Sequence, residues 1–234
     1  MKYRSTLREG RHLVVGNGIR STANVAVLGA INMDLVAVVP RLPKTGETVH
    51  GWAFDTLPGG KGANQAVACA RLGARTSMVG RVGNDAFGTP LRESLESAGV
   101  DTSLVVVDNG APSGIAQITV DAAGQNWIAI VPGANGRCGQ EELGRVSDAL
   151  GRVDVLLLQL EIPLEISLAA AQIAKDMGKR VILDPAPMVD LPDGIASLFD
   201  FIIPNEVEAS ELVGFTVSDV ESAKRAARHL RQQG

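Results

Sequence analysis

From Gln140 onward, short continuous apolar runs alternate with segments of helical spacing. Val153–Gln159 is apolar almost throughout, with no polar alternation, which is the pattern of a strand covered on both faces. Leu164–Met177 then carries helical periodicity and stops at Gly178. Val181–Leu183 and Phe201–Ile203 repeat the short apolar run, and helices start from Asn205 and from Ser218, the last over Asp219–Gln233. Such alternation implies a parallel sheet covered by helices, an α/β fold. The signal recurs earlier. Asn24–Gly29 reads as a buried strand, and residues 60–73 as a helix with Ala63, Ala66, Val67 and Ala70 on one face and Gly73 ending it. Thr76–Val82 reads as the next strand and Ala86–Ala98 as the next helix. After Gln233 the alternation calls for a strand, so the sheet reads as unfinished at Gly234.

One region breaks this pattern. In Ile115–Asp121 the residues Ala116, Ile118 and Val120 alternate with Gln117, Thr119 and Asp121. A turn at 122–125 returns the chain as Asn126–Val131. This predicts an antiparallel hairpin with one wet face, which Leu35–Val39 and Glu47–Leu57 can join to make a small separate sheet.

Composition narrows the function classes. The 234 residues are 45% hydrophobic with 22 basic and 26 acidic groups, a mean hydropathy of +0.14 and a net charge of −4. That excludes intrinsic disorder of the whole chain and argues against a phosphate-backbone binder. Two Trp, one Tyr and five Phe are too few for single-strand stacking platforms, so no nucleic-acid partner is expected. No apolar run reaches the length of a spanning helix, so no membrane partner is expected either. Cys69 and Cys138 lack zinc-site spacing and read as buried small hydrophobes in a reducing, cytoplasmic setting. Residues 1–23 hold Lys2, Arg4, Arg8, Arg11 and Arg20 against Glu9, without the apolar core of a secretory signal. They read as a basic, disordered extension or an upstream start, with an Arg-rich organellar presequence as the alternative.

Polar groups gather at four predicted strand ends. Pro58–Ala66 holds three glycines, Lys61 and Asn64 just before a helix, whose free N–H groups and positive end suit a ligand. It is neither a Walker A loop nor a dinucleotide turn; the plain alternative is a glycine-rich turn with a chance lysine. Asn32 and Asp34 follow the first strand at i, i+2, so both point the same way in an extended segment. An amide beside a carboxylate suits a polyhydroxyl ligand; an Asx-type turn is the alternative. Glu161 ends the strand at Leu160, where a solvated loop glutamate is an equal reading. Asn205 and Glu208 have the spacing of a helix capping box, or of an amide and carboxylate that handle phosphate and Mg²⁺ through water. Asp184, after 181–183, lies on the same rim, where open α/β sheets place ligands.

These residues resemble the ribokinase family of sugar kinases, also called the PfkB family. Gly59–Asn64, Ala66, Gly73 and Gly83 fit its amino-terminal signature, and Asn-x-Asp, Gly-Gly-Lys-Gly-Ala-Asn-Gln-Ala, Leu-Gln-Leu-Glu and Pro-Asn-Glu resemble its ribokinase branch. The resemblance spans residues 24–234. It implies a three-layer α/β/α sandwich with a small β-sheet lid from about 34–57 and 113–131, the carboxyl-terminal part of the sheet being absent. It implies that Asn32, Asp34, Gly60, Lys61, Gly62, Asn64 and Glu161 bind sugar hydroxyls, that Asn205 contacts ATP phosphates, and that Glu208 organises Mg²⁺ through water. The activity implied is ATP-dependent phosphorylation of D-ribose to ribose 5-phosphate, with deoxyribose or another small sugar, or a non-catalytic sugar-binding remnant, as alternatives. Lids of this family pair into homodimers, so the wet face is expected to cover substrate or a partner. The family's Gly-Ala-Gly-Asp loop, which by resemblance supplies the catalytic base and an anion hole, does not occur in this sequence. The adenine pocket and a K⁺ site belong to the same part. The chain therefore reads as a truncated product or fragment, inactive or weak.

Overall fold

A computed structural model describes residues 22–192 and 194–234. The reading of residues 1–23 as an extension falls, up to residue 21, outside the described residues. The main sheet is parallel and holds seven strands: β1 (Asn24–Leu28), β4 (Arg75–Gly83), β5 (Val100–Asp101), β6 (Val105–Asp108), β9 (Val155–Leu158), β10 (Arg180–Leu183) and β11 (Phe201–Ile202). Their order is β11-β10-β9-β1-β4-β5, with β6 also on β4. β1 lies in the middle and shows why its run is apolar at every position. Val25 and Val27 pack on Ala63 and Ala66 of α1 (Lys61–Arg71) and on Leu91 and Leu95 of α2 (Gly88–Ser97). Ala26 and Leu28 face the other way, onto α3 (Gln140–Leu150) and α4 (Leu164–Asp176). The three layers follow from that two-sided burial.

The lid is a separate four-stranded sheet in the order β3-β2-β7-β8, formed by β2 (Asn32–Val38), β3 (Ala53–Gly59), β7 (Gly114–Val120) and β8 (Asn126–Val131). The expected hairpin is β7–β8. Its neighbour β2 runs parallel to β7, and β3 is an edge strand, which is why Pro58 is tolerated inside it.

Two further helices follow, α5 (Glu206–Val213) and the longer α6 (Val220–Gln233), joined by the small apolar cluster of Ala209, Val217 and Ala226. Among the described residues β11 pairs only with β10. A groove of about 400 Å³ opens beside it, lined by Phe201, Ile202, Val217, Ala223 and Leu230 among others. Cys138 is buried as expected, and burial pushes its thiol up to about 12. Cys69 is only half-buried, because its position on α1 faces the rim of the core. No described helix is long and apolar enough to cross a membrane.

Candidate active site

The strand order fixes where a ligand can meet the sheet. β4 lies on one side of β1 and β9 on the other, and a crevice opens beyond the carboxyl ends of neighbouring strands where the crossovers diverge. Those ends carry Ala30–Asn32 after β1 and Gln159–Glu161 after β9. Asn32 opens β2 and is buried, while Asp34, two residues on along the same face, is half-buried.

Helix α1 enters at the same point. Gly60 has φ +90°, and a Cβ there would press on Ala30 O and Asn32 N, so glycine alone fits. That close approach lets Ala63 N–H donate to Ala30 O at 3.1 Å. The helix has no capping side chain of its own. Its first N–H, on Lys61, donates instead to Glu161 Oε2 at 2.8 Å, a carboxylate seated on the positive helix end. Glu161 Oε1 has no protein donor among the described residues. Asp34 accepts no protein hydrogen bond among them either, and its carboxylate lies so close to Gly59 that a Cβ there would overlap it. Asn64 sits in the first turn of α1 with its side chain exposed.

The electrostatics show that these groups share one field. Burial holds the Asp34, Glu161 and Asp184 carboxyls above their ordinary values. For Glu161 the Lys61 N–H and the Lys61 charge oppose burial, while Asp34 and Asp184 add to it. For Asp184 the Lys61 charge again opposes, and Glu208 adds. Half-buried carboxylates with unused lone pairs call for donors from outside, which sugar hydroxyls or a hydrated cation supply.

Sequence reasoning missed a buried amide chain behind this cluster. Gln159, fully buried, donates from Nε2 to Gln65 Oε1 at 2.6 Å, and Gln65 Nε2 donates to Asp184 Oδ2 at 3.0 Å. The one signal available was a glutamine directly after the apolar run of β9, ahead of Leu160. It also missed the apolar roof. Across the lid, Leu57, Asp34, Ala116 and Ile130 stand in one register row, and Asp55, Val36, Ile118 and Ile128 in the next. The Ala116–Ile118 face is therefore the one on Asp34's side. The wet Gln117–Thr119 face, expected to cover substrate or a partner, is turned away from Asp34.

Asn205 and Glu208 form the capping box of α5. Asn205 Oδ1 accepts from Val207 N and Glu208 N at 2.9 Å, and Glu208 accepts from Asn205 N at 2.8 Å and Nδ2 at 2.7 Å. They stand at the end of β11, three strands from β1, or roughly 15 Å across the sheet. Among the described residues, no group of three or more His, Cys, Asp or Glu side chains is arranged to hold a metal ion directly. The Glu208 charge helps to raise the Asp184 carboxyl, and the two offer only hard oxygens, which fits Mg²⁺ held through water.

A model described as the pfkB family carbohydrate kinase matches residues 22–234. The chain belongs to this family. Within it, the chain is 42% identical over 213 residues to a ribokinase of Mus musculus, covering 91% of this chain and 66% of that protein. It is 38% identical over 212 residues to a deoxyribokinase of Salmonella typhi, covering 90% of this chain and 69% of that one. The structure of Arabidopsis thaliana ribokinase complexed with ribose and ATP superposes with a TM-score of 0.80 at 35% identity, over 92% of this chain and 70% of that one. The chain spans about two-thirds of the length of these pfkB relatives.

Proposed function

We propose that this chain carries the sugar-binding part of an ATP-dependent pentose kinase, with D-ribose as the sugar and ribose 5-phosphate as the product. The observation that carries this reading is the convergence of Asn32, Asp34, Lys61 and Glu161 where α1, β1 and β9 meet beneath the lid. Asp34 and Glu161 accept sugar hydroxyl hydrogens, with Asn64 and Lys61 donating from the start of α1; Gly60 and Gly62, by packing without a Cβ on Gly29, Ala30 and Asn32, set that helix start against the pocket. In the transfer, the 5-hydroxyl oxygen forms a bond to the γ-phosphorus, the bond to ADP breaks, and the hydroxyl proton leaves to a base. Asn205 keeps a free Nδ2 hydrogen for a phosphate oxygen. Mg²⁺, held through water by Glu208 and Asp184, would neutralise phosphate charge. Deoxyribose is the second reading, supported by the 38% identity to a deoxyribokinase.

Calorimetry with ribose tests the assignment. Asp34→Ala should weaken binding about tenfold to a hundredfold, the worth of a charged hydrogen bond, and Glu208→Ala should leave it near wild type. Equal affinity of Asp34→Ala and wild type, or a larger loss from Glu208→Ala, refutes the placement of the sugar.

A further inference from the structure

Four passages of chain cross between body and lid: Ala30–Asn32, Gly59–Lys61, Pro112–Gly114 and Pro132–Asn135. Three of them meet around the side chain of Asn135, which is fully buried in the short helical turn Gly133–Arg137 between β8 and α3, while Gly60 of the fourth packs on Ala30 and Asn32. Asn135 Oδ1 accepts from Ile31 N at 2.9 Å. Its Nδ2 donates to Ile31 O at 3.0 Å and to Asn32 Oδ1 at 2.8 Å.

Backbone chemistry dictates the order of this chain of bonds. The Ile31 N–H can only donate and its C=O can only accept, so the Asn135 amide fits one way round. The remaining Asn135 hydrogen then points at Asn32, where only Oδ1 can receive it. That turns Asn32 Nδ2 to the opposite side. Nδ2 has no protein acceptor among the described residues, and it is not one of the side-chain atoms sealed away without a partner. Gly114 is packed against the pair so closely that a Cβ would overlap both Asn135 Nδ2 and Asn32 Oδ1, so the arrangement has little freedom to rotate.

Resting on the reading of this site as a sugar pocket, we infer that Asn135 is a positioning residue for sugar recognition. It fixes the rotation of the Asn32 amide so that the site presents a donor beside the acceptors Asp34 and Glu161. The ligand group this selects is a sugar oxygen able to accept a hydrogen bond, flanked by hydroxyls that donate. Because Asn135 lies on the passage from lid to body, the same residue ties the seating of the lid to the direction of that donor.

Side-chain amide hydrogen exchange by NMR on the unliganded wild-type chain tests the orientation. The Asn135 amide hydrogens should exchange slowly and those of Asn32 fast; the reverse order overturns the proposal. A double-mutant cycle read by calorimetry tests the consequence. Asn32→Ala and Asn135→Ala should each weaken ribose binding about tenfold, and the double variant should bind no more than about twofold worse than the weaker single. Asn135→Ala combined with Asn64→Ala should instead multiply the two losses. Multiplying losses for Asn32 and Asn135 would overturn the positioning role. Should Asn135→Ala fail to fold, the exchange experiment on wild type still decides. Should wild type bind no pentose, the sugar reading fails, and the exchange pattern alone upholds or overturns the control of Asn32 by Asn135.

Discussion

Burial raises the Asp34 carboxyl above its ordinary value, and among the described residues no protein hydrogen bond compensates it. In the window between the ordinary and the raised value, the folded chain binds more protons at this group than the unfolded chain does. Stability therefore falls as pH rises through that window, and the penalty is fully present at neutral pH. Asp34→Asn keeps the shape and removes the charge. It should raise Tm at neutral pH by about 1–2 °C, with the advantage shrinking as pH drops through the raised value into the usual carboxylate range. The same substitution should weaken ribose binding. Thermal denaturation from pH 4 to 8 checks this, and an advantage that grows toward acid would contradict the buried-carboxylate account. That Asp34 shares a face with Asn32 just past β1 was readable in the sequence, because residues at i and i+2 of an extended segment point the same way. Asn135 was not, because a lone asparagine in a Gly-Ala-Asn-Gly stretch looks like any turn residue until the backbone it pairs with, more than a hundred positions earlier, is brought beside it.

At the scale of elements, α1 takes its cap from another strand end. Removing the acceptor by Glu161→Ala leaves the Lys61 N–H without a protein partner and should cost about 1 kcal/mol, the usual worth of a helix cap. Glu161→Gln, which keeps an oxygen in place, should cost less. Chemical denaturation checks the order, and equal losses would show that the carboxylate acts otherwise than as a cap. The central elements were legible because β1 and β9 are apolar at nearly every position and their helices carry clear periodicity and glycine stops. The lid was legible in outline only. Glu47–Leu57 was expected as a strand, but β3 runs Ala53–Gly59, since pairing Asn32 with Gly59 fixes the register from the body side. β5 and β6 are too short to show a period, and their residues are held by pairing to β4. The capping box at Asn205 and Glu208 was correctly available as a plain structural reading, and the structure adopts it.

The whole molecule turns its largest exposed apolar side chains outward from the lid. Phe54 and Trp127 close the two ends of one register row on the face turned from Asp34, and they are 63% and 61% exposed. A patch of this kind favours a protein partner, and a second copy of the lid is the complement expected here. Light scattering at micromolar concentration should give a dimer, and Trp127→Glu should convert it to a monomer, since an aromatic anchor replaced by a charge removes a central contact. A wild-type monomer would count against lid pairing. The crossings that gather at Asn135 and Asn32 have a mechanical meaning as well. The lid tip at Gly124 stands about 20 Å from them along β7, so any rotation of the lid about this point would move the tip through a long arc and leave Asn32 nearly still. If the cleft holds a sugar as proposed, its mouth and its reading head sit at opposite ends of a lever, the one free to swing while the other keeps its place at the fulcrum.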